Sequence, residues 1–238
     1  MSRKKTSESH PTPHYLVTTK FRFNLAATKL SWQGGYDAEV TRSSGRTRLT
    51  AEQRRETILT AATAVFAETG YQRTKASEIA ARVGVSEPVI FQNFGSKAGL
   101  FAAVLNRAAT AAAEMLNSLA AQRDPIADVL RVLLSPDHLD ALHAPGSLGV
   151  LFAEGTASGA DPQIHEAATA AIQGLAGSFA KLIRQRQGAG EISERIDAEA
   201  FAWSLISFVS ARSFRRAFAD SPGLEHRLID QLLQPLVD

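Results

Sequence analysis

From Thr50 to the end of the chain, apolar positions recur at three- and four-residue steps, the period of helices with one face against a core. Ile58, Leu59, Ala62, Val65 and Phe66 trace the first stripe. Thr50 is an N-cap before it, Glu52 suits the positive end of its dipole, and Gly70 closes it. A short helix over about Lys75–Arg82 follows, then Val83-Gly84-Val85-Ser86, then another over about Glu87–Phe94. Ser96 caps a long fourth helix with Leu100, Phe101, Val104, Leu105, Ala108, Met115 and Leu119 on its buried side. Asp124-Pro125, Ser135-Pro136, Ala144-Pro145-Gly146 and Asp161-Pro162 each join a capping or turn residue to a proline suited to a first helical turn. A long helix is predicted from Pro162 to about Gln187, stopped by Gly188-Ala-Gly190. Asp197 caps the next, to about Ala219, and Ser221-Pro222 opens the last. Roughly nine or ten helices and no convincing strand make the expected fold all-α.

The first 46 residues lack this period. They hold Pro11, Pro13, Gly34, Gly35 and Gly45 among many Ser and Thr. The stretch from Tyr15 to Phe23 alternates like a strand, but an isolated strand has nothing to pair with, so disorder is expected. Charge separates the same regions: residues 1–50 carry nine Lys/Arg against three Asp/Glu, whereas residues 101–238 carry eleven against sixteen. A polyanion would meet the basic front, although a basic tail on an ordinary domain fits as well.

Composition removes several classes of chemistry. Of the 238 residues none is cysteine, so disulfide scaffolds, thiolate metal sites and a cysteine nucleophile are out. No apolar run reaches the roughly 18 residues of a membrane helix, and no apolar core follows the basic N-terminus as in a secretory signal. A soluble, cytoplasmic protein with no membrane partner is expected.

The informative stretch runs from Gly70 to Phe101. Two short helices that cross steeply need a small residue at their contact, and Ala80 supplies it. The turn between them needs a residue that tolerates positive φ, and Gly84 supplies that. Ile79, Val83, Val85 and Ile90 sit where core anchors belong. The spacing of Ala80, Gly84 and Ile90 is that of a helix-turn-helix at about residues 75–94, although it also suits a helical hairpin whose glycine is only a C-cap. Ser86 would cap the second helix. Glu87, Pro88, Val89, Phe91, Gln92 and Asn93, on its exposed turns, are what a recognition helix would present to a DNA major groove.

A wider set of residues carries a family resemblance. Phe66-Ala-Glu-Thr-Gly-Tyr71, Thr74, Glu78-Ile-Ala80, Gly84-Val-Ser86, Phe91-Gln-Asn-Phe94, Ser96-Lys97 and Leu100-Phe101 recur in order. Together, over about Glu52–Phe101, they resemble the DNA-binding domain of the tetracycline-repressor (TetR) family of transcriptional regulators. The resemblance implies a three-helix DNA-binding domain at residues 47–101, after a basic extension at 1–46. It implies phosphate contacts by Thr74 and Lys97, with Lys75 beside them at the helix start; such contacts fix register rather than sequence. Three positions depart from the family pattern. Phe91 stands where a tyrosine is usual, Asn93 where an aromatic or histidine is common, and Glu87 where a lysine is frequent. Glu87 can accept from cytosine N4 and Gln92 can pair bidentately with adenine, each worth about 1–3 kcal/mol of discrimination. Arg42, Arg46 and Arg48 form a candidate minor-groove arm, with a solvated tail as the alternative.

The resemblance further implies a helical ligand-binding and dimerisation domain at residues 102–238. Homodimerisation would use the helices at about Pro162–Gln187 and Asp197–Ala219, with Ala167, Ala170, Ala171, Gly174 and Gly177 as a small-residue stripe. A dimer also suits the DNA-binding mode, since two recognition helices about 34–36 Å apart reach successive turns of double-stranded DNA at a palindromic operator. Met115, Phe152, Phe179, Trp203 and Phe208, with His138 and His143, are candidates to line a pocket for a small-molecule effector, and each also suits plain core or surface. The expected function is that of a ligand-responsive repressor. A helical protein-interaction scaffold is the alternative.

Catalytic patterns are weak. Gly155-Thr-Ala-Ser158-Gly159 has the wrong order for a nucleophile elbow, and His165-Glu166 lacks the second histidine of a zinc helix. No enzyme activity, cofactor or metal is expected.

Overall fold

Thr50 opens the first helix, α1 (Ala51–Thr69), with a capping box. Its hydroxyl accepts the Gln53 N–H at 3.1 Å, and the Gln53 side-chain oxygen accepts the Thr50 N–H at 2.9 Å. The computed structural model describes residues 50–237 apart from 122, 144–147, 158–160, 220 and 222. The N-terminal extension, including Arg42, Arg46 and Arg48, lies outside the described residues, as does the Ala144-Pro145-Gly146 turn. Among the described residues there are eleven α-helices, a terminal 3-10 turn and no strand, so the all-α expectation is met with more helices than predicted.

Two short helices follow, α2 (Ala76–Val83) and α3 (Glu87–Phe94), each within about a residue of its predicted range. The fourth helix, α4 (Lys97–Ala120), starts where Ser96 Oγ accepts the Gly99 N–H at 2.9 Å. Its buried side is as expected at Leu100, Phe101, Val104, Leu105, Ala108 and Leu119. Leu116, about three turns beyond Leu105, then takes the buried seat, and Met115 stands half-exposed at the edge of the stripe.

Three helices lead back toward α4: α5 (Ile126–Leu133), α6 (Pro136–His143) and α7 (Leu148–Ala157). The long α8 (Pro162–Gly188) is capped by the Asp161 carboxylate, which accepts the Gln163 and Ile164 N–H groups at 3.0 and 3.4 Å. It lies along α4 with Ala167, Ala168 and Ala171 buried, small side chains that let two helix axes approach closely.

The chain then departs from prediction. Asp197 caps α9 (Ala198–Ser210) as expected, but the helix ends at Ala211 and restarts as α10 (Arg212–Phe218). Neither Gly nor Pro marks that break. A tertiary contact accounts for it: the Arg212 guanidinium is buried against Asp140 at 2.8 Å, Glu225 at 3.1 Å and the Pro136 carbonyl at 3.3 Å. The last helix, α11 (Leu224–Leu233), begins after Gly223, which takes a left-handed φ of 71°, rather than at Ser221-Pro222.

One core joins the first four helices to α7 and the start of α8. Phe66 and Phe101 meet edge to face with centroids 4.9 Å apart, and Ile79, Ile90 and Leu100 are fully enclosed around them. Leu151 of α7 and Ile164 of α8 belong to the same cluster, with Phe152 packed against it. The first three helices are therefore buttressed by later ones.

Candidate nucleic-acid interface

The turn between α2 and α3 rests on Gly84. Its φ of 70° is left-handed, a conformation that costs a side-chain-bearing L-residue roughly 1–2 kcal/mol. The Val85 N–H reaches back to the Ala80 carbonyl at 3.0 Å and the Gly84 N–H to Ala81 at 3.3 Å, which closes a Schellman turn. Ile79 and Ala80 are buried on α2, Ile90 and Phe94 on α3, and Val83 and Val85 pack partly against them. These anchors bring the expected helix-turn-helix core together and fix which face of α3 looks outward.

That outward face is narrower than the sequence suggests. Ser86, Glu87, Pro88, Phe91 and Gln92 are exposed, Phe91 to 38%. Ser86 holds the N-cap position in extended backbone, but its hydroxyl makes no capping bond; its carbonyl accepts the Val89 N–H at 3.0 Å. Val89 is not an outward reader, since it is half-buried against the core. Asn93 is not freely presented either. Its side-chain amide donates to the Val89 carbonyl at 2.7 Å, a local bond available to any helical Asn that finds no better partner.

The expected phosphate contacts also need correcting. Thr74 is 1% exposed, and its hydroxyl donates to the Gly70 carbonyl at 2.8 Å beside Thr69 Oγ1 at 2.6 Å. A buried hydroxyl so occupied cannot reach a phosphate. It pins the α1–α2 turn instead. Lys75 is exposed at the start of α2, where its N–H donates to Glu78 Oε2 at 3.3 Å. The Lys97 ammonium lies 4.5 Å from the Tyr71 ring centroid and donates to the Gln72 carbonyl at 3.3 Å. Burial pushes Lys97 below its ordinary value, with Glu78 opposing.

Two arginines escaped sequence reasoning. Arg55 of α1 donates to the Asn93 carbonyl and lies 4.2 Å over the Phe94 ring, clamping the end of α3. Arg73 is exposed in the turn before α2, its Nε donating to the Thr69 carbonyl at 2.8 Å. A proximity signal could have found Arg73, two residues before Lys75. Nothing local marks Arg55, whose partners lie about 38 residues downstream.

The five pocket candidates do not gather as expected. Phe152 packs on the helix-turn-helix core, Met115 and Phe179 are half-buried, and Trp203 is 40% exposed. Phe208 lies under the Arg215 guanidinium at 4.0 Å. Burial pushes His138 below its ordinary value, and the His143 side chain is outside the described residues. Among the described residues no group of His, Asp and Glu could hold a metal, and no helix is long and apolar enough to cross a membrane.

A Schellman-turned helix pair with one helix buried at the root and bare at the tip defines a helix-turn-helix protein. Residues 58–104 match the model of the bacterial regulatory proteins of the tetR family. The transcriptional activator FasR of Mycolicibacterium smegmatis is 48% identical over 60 residues, which are 25% of this chain and 27% of that protein. The chain therefore matches only about a quarter of the length of this curated relative. Solved structures align over far more. A TetR-family regulator from Cytophaga hutchinsonii covers 80% of this chain and 96% of its own, with a TM-score of 0.62 at 19% identity. Reduced NemR of E. coli covers 76% and 97%, with a TM-score of 0.62 at 16% identity. The fatty acid degradation regulator FadR of Bacillus halodurans covers 79% and 96%, with a TM-score of 0.56 at 18% identity. Residues 58–104 are thus similar to the DNA-binding segment of the tetR family, and most of the chain shares the fold of these solved structures.

Proposed function

We propose that the protein is a cytoplasmic transcriptional regulator that binds a palindromic operator as a homodimer and releases it on binding a small-molecule effector. One observation carries the reading: α3 buries Ile90 and Phe94 while leaving Glu87, Pro88, Phe91 and Gln92 bare along one side. That side suits a major-groove reader, and the exposed Arg73 and Lys75 at the start of α2 would serve as phosphate anchors. Phe91 offers its ring to a sugar or a thymine methyl, and Gln92 and Glu87 offer polar atoms to base edges.

Dimerisation draws support from α8 and the helices after it. Ala167 and Ala171 of the predicted stripe point into α4, but Ala170, Gly174 and Gly177 face outward, and a Cβ on either glycine would meet nothing within 4 Å. Trp203, Phe214 and Phe218 are exposed on α9 and α10, and the tilted rings of Phe214 and Phe218 lie 5.0 Å apart. Exposed aromatics beside a bare small-residue face suit self-association.

The effector acts by population shift, favouring a conformation whose α3 helices are mis-spaced, and DNA disfavours the effector equally. The sign we propose is repression, through occlusion of the promoter. The relative from M. smegmatis is named an activator, and a promoter-fusion reporter with and without the gene reads the sign directly.

Selection of bound sites from random duplexes tests the core of the proposal. Inverted repeats with half-sites about one helical turn apart are expected. Recovery of no enriched sequence would overturn it in favour of a helical interaction scaffold.

A further inference from the structure

Three arginines near the C-terminal end face two carboxylates. Asp140 Oδ1 accepts from Arg212 at 2.8 Å and from Arg216 at 2.5 Å. Glu225 is occupied by both Arg212 Nε at 3.1 Å and Arg212 Nη2 at 3.3 Å. Arg215 is left over. Its Nε and one terminal nitrogen are out of contact with solvent and have no hydrogen-bond partner among the described residues. Buried donors of a cation without an acceptor are rare and call for an explanation.

Arg215 lies across the Phe208 ring at 4.0 Å, which holds the guanidinium plane but supplies no acceptor. It also lines a cleft of about 310 Å3, at the small end of the range for ligand sites. Pro136, Ala219 and Leu224 give that cleft apolar walls, and Arg216, Ser221 and His226 give it polar ones. The Ser221 hydroxyl already accepts from Arg227 at 3.0 Å, so its own proton is available to a ligand oxygen.

We infer that this cleft binds a small organic carboxylate, its two oxygens paired with the Arg215 guanidinium and its carbon skeleton against Leu224 and Pro136. A planar carboxylate matches a guanidinium fork and would satisfy both orphaned donors at once. Burial pushes Arg215 below its ordinary value, with Glu225 opposing, so an anion in the cleft would offset the desolvation of its guanidinium. Of the five residues first considered for the effector, Phe208 touches this site through Arg215, and the inference does not rest on DNA binding.

The test is direct binding to the full chain in the absence of DNA. Sodium acetate, butyrate and benzoate are titrated by calorimetry, against butyramide, benzamide and inorganic phosphate. At least one carboxylate is expected to bind tenfold or more tightly than its amide. Arg215→Gln should abolish that binding, and Arg215→Lys should weaken it about tenfold, since a lysine keeps the charge but not the fork. Circular dichroism checks that each variant folds. If Arg215→Gln unfolds, the carboxylate-to-amide ratio on the unaltered chain still decides. Equal binding of acid and amide, or of phosphate and carboxylate, would overturn the assignment. So would undiminished binding by folded Arg215→Gln.

Discussion

The carboxylate of Glu154, on α7, accepts the main-chain N–H of Tyr71 at 3.3 Å across 83 residues of sequence. Tyr71 sits in the turn that leads into α2, and its ring packs 5.0 Å from Phe101. A displacement of α7 is thereby felt at the root of the reading head. Glu154→Ala should remove this bond at a cost of about 1 kcal/mol, lowering Tm by roughly 2–4 °C. It should also shrink the effector-induced change in operator affinity while leaving affinity without effector within about threefold. Calorimetric melting and titrations on the selected operator read both. An undiminished effector response would rule out this contact as a route between α7 and α2.

Two glycines should differ in how they resist change. Gly84 has open space where a Cβ would stand, so Gly84→Ala is strained only by its positive φ and should cost about 1–2 kcal/mol. Gly99 is helical, but a Cβ there would lie 2.2 Å from the Phe94 carbonyl oxygen. Gly99→Ala must push α3 away from α4. It should cost more than Gly84→Ala in urea titrations and should weaken DNA binding even where the chain remains folded.

Thr74, Arg73 and Gln92 separate three roles. Thr74→Val should reduce stability by about 1–2 kcal/mol and leave the salt dependence of DNA binding unchanged, because its hydroxyl is spent inside the turn. Arg73→Ala should weaken all sequences alike and lower the salt slope by about 1. Gln92→Ala should relax preference at one base pair by about 1–3 kcal/mol. Mobility shifts at several salt concentrations distinguish these outcomes, and a Thr74→Val variant with a reduced slope would return Thr74 to the phosphates.

His138 supplies a pH dependence. Burial holds its folded value below the ordinary 6.5, so the unfolded chain binds the proton more readily. Its contribution to stability is complete above about pH 6.5 and is lost as pH falls toward the folded value. Urea midpoints measured from pH 7.5 down to 5 should fall, and His138→Leu should flatten that part of the profile. An unchanged slope in His138→Leu would assign the loss to other groups.

The helix-turn-helix was legible because its punctuation is local. Thr50, Gly70, Gly84 and Ser96 each act through neighbours a few residues away, so α1 to α4 began and ended about where the pattern put them. What could not be read depends on partners distant in sequence. Thr74 turns inward because the Gly70 carbonyl accepts its hydroxyl, and Trp203 is bare because, among the described residues, none covers it. The division of α9 from α10 follows from Arg212 reaching Asp140, 72 residues earlier. Periodicity reports that a face is apolar; it does not report which neighbour, if any, will lie on it.

The start and the middle of α8 have different surroundings. Near its first turn, Gln163 meets Ser96 at 3.3 Å, at the hinge between α3 and α4, while Gly174 and Gly177 lie further along its bare side. Its 27 residues make a rod about 40 Å long. A rod of that length pivoted by about 3° sweeps its far tip through roughly 2 Å, a sizeable fraction of the 3.4 Å between stacked base pairs. In the proposed dimer, a slight rocking where two copies meet would therefore arrive at the proposed operator as a misfit.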